Sequence, residues 1–195
     1  MYEVEVKVSA DHDRVRSVLE REGAESLGRL EQIDVYFDAP HRDFAATDEA
    51  LRIRRETGSD GEAAAFVTYK GPRVDAESKT REEIETPIAS IEDVRAILTA
   101  LGFDPVAEVE KVRERFRLEE YTVTLDDVAG LGEFVEVEAE ATREDIESVR
   151  EGAYAVVERL DLDPDDQIRT SYLGLLLDGT DEMAESADGG ADTDT

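Results

Sequence analysis

The stretch MYEVEVKV, residues 1–8, alternates without a break: Val4, Val6 and Val8 fall at even positions, Glu3, Glu5 and Lys7 at odd ones. In a strand, successive side chains leave opposite faces, so one side is pure valine and the other carries two carboxylates and an ammonium. Glu3 and Glu5 then stand about 7 Å apart and repel by roughly 2 kcal/mol at an effective dielectric of 20. Solvent on an outer face relieves that repulsion. So does a cation held between them.

The pattern recurs with changes of sign. Leu51 and Ile53 alternate with Arg52 and Arg54, and Val67 and Tyr69 alternate with Thr68 and Lys70. Lys79, Arg81, Glu83 and Glu85 share one face; Lys111, Arg113, Arg115 and Arg117 share another. Val123 and Leu125 alternate with Thr122, Thr124 and Asp126, while Val135 and Val137 alternate with Glu136, Glu138 and Glu140. Strands are expected at 28–38, 48–56, 63–70, 77–86, 106–118, 120–126 and 133–140, making eight with the opening one. All four lysines fall within them. Gly58-Ser59-Asp60-Gly61 and the Glu119-Glu120 junction read as tight turns.

Helices are marked by caps: 11–22 from Asp11 to Gly23, 90–101 from Ser90 to Gly102, one opening at Thr142 with Asp145, and a last one around 171–177. The fold class that follows is antiparallel α+β. Two arrangements satisfy strands with one greasy and one ionic side. An open sheet packs its apolar face on helices and gives the ionic face to water. A closed eight-stranded barrel turns the apolar sides outward under helices and leaves a polar lumen able to hold one small ligand.

Composition narrows the chemistry. The chain has 195 residues, a net charge of −29 and 22 basic residues, 18 of them arginine. One domain over 1–177 and an acidic, unstructured tail over 178–195 are expected. Such acidity suits a protein adapted to high salt and argues against nucleic-acid binding. No run approaches 18 apolar residues, so a membrane helix is excluded, and with no leader pattern a cytoplasmic location is expected. The absence of cysteine removes thiol chemistry and thiolate metal sites. The two histidines, His12 and His41, are expected to be solvated. Tyr36, Phe37, Phe134 and Tyr172 read as packing aromatics, Glu140, Arg115 and Arg117 as rim residues, and Gly130 and Gly132 as turn formers.

If the ionic sides face one another, their charges demand partners. Carboxylates with no thiolate among them suit Mg²⁺ or Mn²⁺, and forked arginines with point-charge lysines suit a polyphosphate. Cations on one wall and phosphates on another make a phosphoryl-transfer site.

The ordered set Glu3-x-Glu5-x-Lys7, QIDVYFD (32–38), ALRIRRE (50–56), TYKGP (68–72), TREEIE (80–85), EKVRERF (110–116), VTLDDVAGLGEFVEVE (123–138) and SYLGLLL (171–177) resembles the CYTH superfamily of triphosphate tunnel metalloenzymes. Among its branches the chain is most similar to class IV adenylyl cyclases. The resemblance implies an eight-stranded antiparallel tunnel. It implies that Glu3, Glu5, Asp126, Glu136 and Glu138 hold Mg²⁺ or Mn²⁺, and that Lys7, Arg52, Arg54, Lys70, Arg81, Lys111 and Arg113 hold the triphosphate. Arg81 has the alternative of pairing with Glu83 or Glu85, with Lys79 as its substitute. The expected activity is conversion of ATP to cyclic AMP and pyrophosphate. The alternatives are hydrolysis of tripolyphosphate, thiamine triphosphate or a nucleoside triphosphate, and non-catalytic polyphosphate or nucleotide binding. The family also implies a homodimer.

Overall fold

The computed structural model describes residues 1–75 and 77–178. Its strands are β1 (Tyr2–Ser9), β2 (Glu25–Asp38), β3 (Ala50–Gly58), β4 (Ala63–Arg73), β5 (Arg81–Pro87), β6 (Asp104–Leu118), β7 (Tyr121–Val128) and β8 (Gly132–Ala141). They close into an antiparallel barrel in the order β1-β5-β4-β3-β2-β6-β7-β8, with β8 returning to β1. Of the two arrangements the alternation allows, the chain adopts the closed one. The tail expected over 178–195 lies, apart from Asp178, outside the described residues.

Closure is decided by where the valines go. Val6 and Val8 of β1, Val123 of β7 and Val135 and Val137 of β8 point outward into one apolar cluster. There they meet Val15, Val18 and Leu19 of α1 (His12–Arg21) and Ala153, Val156 and Val157 of α4 (Ile146–Arg159). Each fully buried side chain of this size contributes about 1.5–3 kcal/mol. With that face taken by helices, the charged face has only the barrel interior left.

The helices follow their caps with one shift. Asp11 accepts from the Arg14 N–H at 2.9 Å, and Ser90 accepts from Asp93 at the head of α3 (Ile91–Ala100). At Thr142 the hydroxyl donates to Asp145 Oδ2 at 2.5 Å, so the expected cap pair is spent on itself and α4 starts at Ile146. A short helix that sequence reading missed, α2 (Phe44–Thr47), is capped by Asp43 and ended by Asp48 at φ 55°. None of α3's residues is buried, and Ile97 and Leu101 are 57% and 65% exposed.

Three expectations are corrected. The strand expected from 77 begins only at Arg81, because Asp75 and Ser78 bond each other and Arg150 holds Asp75 at 2.8 Å. Lys79 therefore sits on a connection. His12 is buried, with Nε2 3.0 Å from the Phe134 carbonyl and Nδ1 3.7 Å from the Glu133 carboxylate. Its position at the head of α1, against the start of β8, leaves it no solvent. Arg115 points into the barrel. Among the described residues, no helix is long and apolar enough to cross a membrane.

Candidate active site

The interior holds a cavity of about 230 Å³ lined mostly by acidic and basic side chains. On the acidic side, Glu3 and Glu5 of β1 face Glu136 and Glu138 of β8. The register sets Glu5 opposite Glu138 and Lys7 opposite Glu136. Three of the four acids have cationic partners. Glu3 takes Lys70 at 2.5 Å, Glu5 takes Lys79 at 2.9 Å, and Glu136 takes Arg113. Among the described residues, Glu138 has no ion pair. Burial, reinforced by Glu3, Glu136 and Glu5, pushes its carboxyl up to about 8 despite Arg113 nearby. Burial would raise Glu136 as well, but Arg113, Lys111 and Lys7 outweigh it and hold that carboxyl well below the usual range.

The cations are arranged with buried counter-charges of their own. On β3, Arg54 grips Asp34 with two hydrogen bonds of 2.6 and 2.7 Å, and Arg52 reaches the same carboxylate at 3.3 Å. Burial works against the Asp34 charge, yet the two guanidiniums keep it far below the usual carboxylate range. Asp34 was not foreseen. Its signal was present: Gln32, Asp34 and Tyr36 alternate with Ile33, Val35 and Phe37, the same inward-outward rule as elsewhere. Lys70 of β4 lies between Glu3 and Glu83, the latter at 2.7 Å. Glu83 is drawn down to about 2, burial being overruled by Lys70 and Arg52.

Not every residue assigned by resemblance opens onto the cavity. Asp126 is fully buried behind it, receiving Arg113 at 2.6 and 2.5 Å, the Tyr172 hydroxyl at 3.1 Å, and the Lys111 ammonium at 3.3 Å. Lys7 is 1% exposed; its Nζ donates to the Thr170 carbonyl at 2.5 Å and lies 4.2 Å from the Tyr172 ring centroid. Burial first, then Lys79, lowers it to about 8. Lys111 does line the cavity and is also lowered to about 8, by burial and the neighbouring Arg113. Arg81 lines the cavity too, but pairs with neither Glu83 nor Glu85. It holds the Asp48 carbonyl at 2.7 Å and the Asp48 carboxylate at 3.1 Å, tying the end of α2 to the barrel.

Tyr36, Tyr172 and Arg115 line the cavity, whereas Phe37 and Phe134 are buried in packing and Arg117 and Glu140 are exposed. The Nε–H donors of Arg52, Arg81 and Arg115 are buried with no acceptor. Unsatisfied buried donors are costly, and an anion in the cavity is what would satisfy them. The acidic side fits a hard divalent cation in its all-oxygen donors and in the uncompensated Glu138. Among the described residues no three acids stand close enough to hold an ion as they are, since each of the others is engaged by a lysine or arginine.

The fold and the site together define a closed antiparallel barrel whose lumen carries both signs of charge. The CYTH domain model matches residues 1–172, and the chain belongs to that family. Its members act on triphosphate small molecules with divalent metal ions. The chain is 42% identical over 177 residues to a Methanocaldococcus jannaschii protein named "Putative adenylate cyclase MJ0240", covering 90% of this chain and 98% of that one. The solved structure of the PH1819 protein of Pyrococcus horikoshii superposes with a TM-score of 0.84 at 39% identity, covering 91% and 99% of the two chains. A Hippeastrum protein described as a "putative adenylyl cyclase" that "reveals a dominant" triphosphatase activity shares the fold, at TM-score 0.60, 18% identity and coverage of 91% and 95%.

Proposed function

We propose that this chain is a metal-dependent adenylate cyclase that binds ATP in the barrel and releases cyclic AMP and pyrophosphate. The observation that carries the reading is that the ionised cavity continues into a second, less polar chamber of about 500 Å³. The two share Tyr36, Asp48, Glu49, Ala50, Ser171 and Leu173, and the second adds Phe44 and Val106. Inorganic tripolyphosphate has no use for such a chamber; a base and ribose do.

In this reading Arg52, Arg54, Arg81, Lys70, Lys111 and Arg113 hold the triphosphate. Asp34 and Asp126 fix the guanidiniums from behind, so that their forks are set before the substrate arrives. Lys7 supports the same wall through Thr170 and Tyr172. Glu3, Glu5, Glu136 and Glu138 would hold Mg²⁺ or Mn²⁺, with Asp126 behind them. A divalent ion held by these carboxylates would supply charge neutralisation for the phosphates and acidification of the ribose 3′-hydroxyl. The 3′ oxygen bonds to the α-phosphorus, the bridge to the β-phosphate breaks with its electron pair leaving on pyrophosphate, and the hydroxyl proton passes to solvent water. The cations offset the charge that grows on the departing pyrophosphate.

The test is direct. Purified chain in high salt with Mg²⁺ or Mn²⁺ receives ATP, tripolyphosphate or thiamine triphosphate, and products are separated by chromatography. Cyclic AMP from ATP is expected. Orthophosphate in its place identifies a triphosphatase, and tight binding with no product identifies a binding module.

A further inference from the structure

Lys79 differs from the other three lysines in what carries it. Lys7, Lys70 and Lys111 stand in the ladders of β1, β4 and β6. Lys79 stands in the connection between β4 and β5, outside any strand. That connection is anchored at its base. Arg150 of α4 binds Asp75 at 2.8 Å and Glu77 at 2.5 Å, and the Tyr154 hydroxyl donates to the Glu77 carbonyl at 2.8 Å. The Lys79 N–H donates to the Glu5 carbonyl at 3.3 Å. Ser78 and Thr80, on either side, are fully buried with their hydroxyls bonded at 2.6 Å. The backbone is thus fixed, and what remains free to turn is the four-carbon stem.

The tip of that stem enters the cavity and forms an ion pair with Glu5 at 2.9 Å, its one carboxylate partner there. Glu5 is opposite the uncompensated Glu138 and two residues along β1 from Glu3. The Lys79 ammonium is therefore the cation that neutralises Glu5, while Glu3 is held separately by Lys70. A divalent ion brings twice the charge and takes several oxygens at once, which an ammonium cannot match. Once off Glu5, the ammonium has little room to leave, because the side chain is only 11% exposed and the backbone is held. Around the same cavity stand Arg52, Lys70 and Arg81, which repel it until an anion arrives.

We propose that Lys79 is an exchangeable counter-ion: it neutralises Glu5 in the free protein, yields Glu5 to the divalent ion, and then donates to the triphosphate. This rests on the reading of the barrel as a metal and triphosphate site. It makes the two ligands cooperative, since the metal frees a phosphate ligand and the phosphate removes the metal's competitor.

The experiment uses the full chain and no turnover. Mn²⁺ binding is followed by the paramagnetic resonance of free Mn²⁺, and tripolyphosphate binding by calorimetry with and without saturating Mn²⁺. Lys79→Gln is expected to bind Mn²⁺ alone about 5–10-fold more tightly, and tripolyphosphate in the presence of Mn²⁺ about 10-fold more weakly. Lys79→Arg, which keeps the charge, is expected to restore the tripolyphosphate affinity, and melting curves establish that both variants fold. Unchanged or weakened Mn²⁺ affinity in Lys79→Gln, or unchanged tripolyphosphate affinity, overturns the proposal while leaving the barrel site standing. A wild-type chain that takes up neither probe overturns the site itself and the proposal with it.

Discussion

The two flanks of the barrel are built to different standards. Behind β1, β7 and β8 lie α1 and α4, and the valines in the buried cluster between these layers are at most 2% exposed. The remaining long helix, α3, joins β5 to β6 and buries none of its residues. The acids proposed to hold metal ride on the firm side, whereas Arg52, Arg54 and Lys70 ride on β3 and β4. The difference matches the ligands. Small divalent ions tolerate little error in the position of their oxygens, while long cationic side chains adjust to a phosphate from an imperfect base. Rigidity is concentrated where coordination needs it.

The comparison is broken most severely at the firm wall's charged face. Glu136→Gln, or Glu5→Gln, is expected to lower turnover at least about 100-fold in a chain that still unfolds cooperatively, with Glu136→Gln the less stable because Arg113 loses a buried partner. Turnover within a few fold of wild type in both variants removes the metal role of that wall. Its apolar backing comes next. Leu160 is fully buried, and Leu160→Ala is expected to cost about 2–5 kcal/mol in urea unfolding.

A pH effect follows from Glu138. Its carboxyl sits at about 8 in the metal-free protein, above the ordinary 4.5, so the folded chain binds an extra proton between those values and loses stability as pH rises through that window. A metal must compete with that proton. Mn²⁺ affinity is therefore expected to rise about 20-fold from pH 6.5 to 8.5, and Glu138→Gln to flatten the dependence. The smallest effect belongs to the looser flank. Ile97 on α3 is 57% exposed, and Ile97→Ala is expected to change stability by less than about 0.5 kcal/mol. A cost like that of Leu160→Ala would mean the two flanks are equally tight.

What sequence carries and what it withholds divide along physical lines. Period-two alternation locates strands and faces, so Glu3, Arg52, Lys70, Arg113 and Glu136 were found, and they do share one cavity. Alternation does not say which strands become neighbours. The capture of Arg81 by Asp48, across 33 residues, and the grip of Arg54 on Asp34 were for that reason invisible. Nor does alternation separate the front of a wall from its back. Asp126 and Lys7 face inward as expected, yet packing by Tyr172 and the Thr170 carbonyl keeps both off the cavity surface. Lys79 was misplaced on a strand because the ionic pattern runs on past the point where the ladder begins.

The union of β1 with β8 across eight residue pairs carries a consequence for synthesis. These partners are more than 120 residues apart, so β1 emerges from a ribosome roughly 6–28 s before β8 is made, at about 5–20 residues per second. Throughout that delay its row of valines is a bare, sticky edge. Glu3, Glu5 and Lys7 interrupt the row at every second position, and a charged edge resists joining the nascent chain beside it. The charged side chains of β1 thereby guard their own strand until β8 arrives.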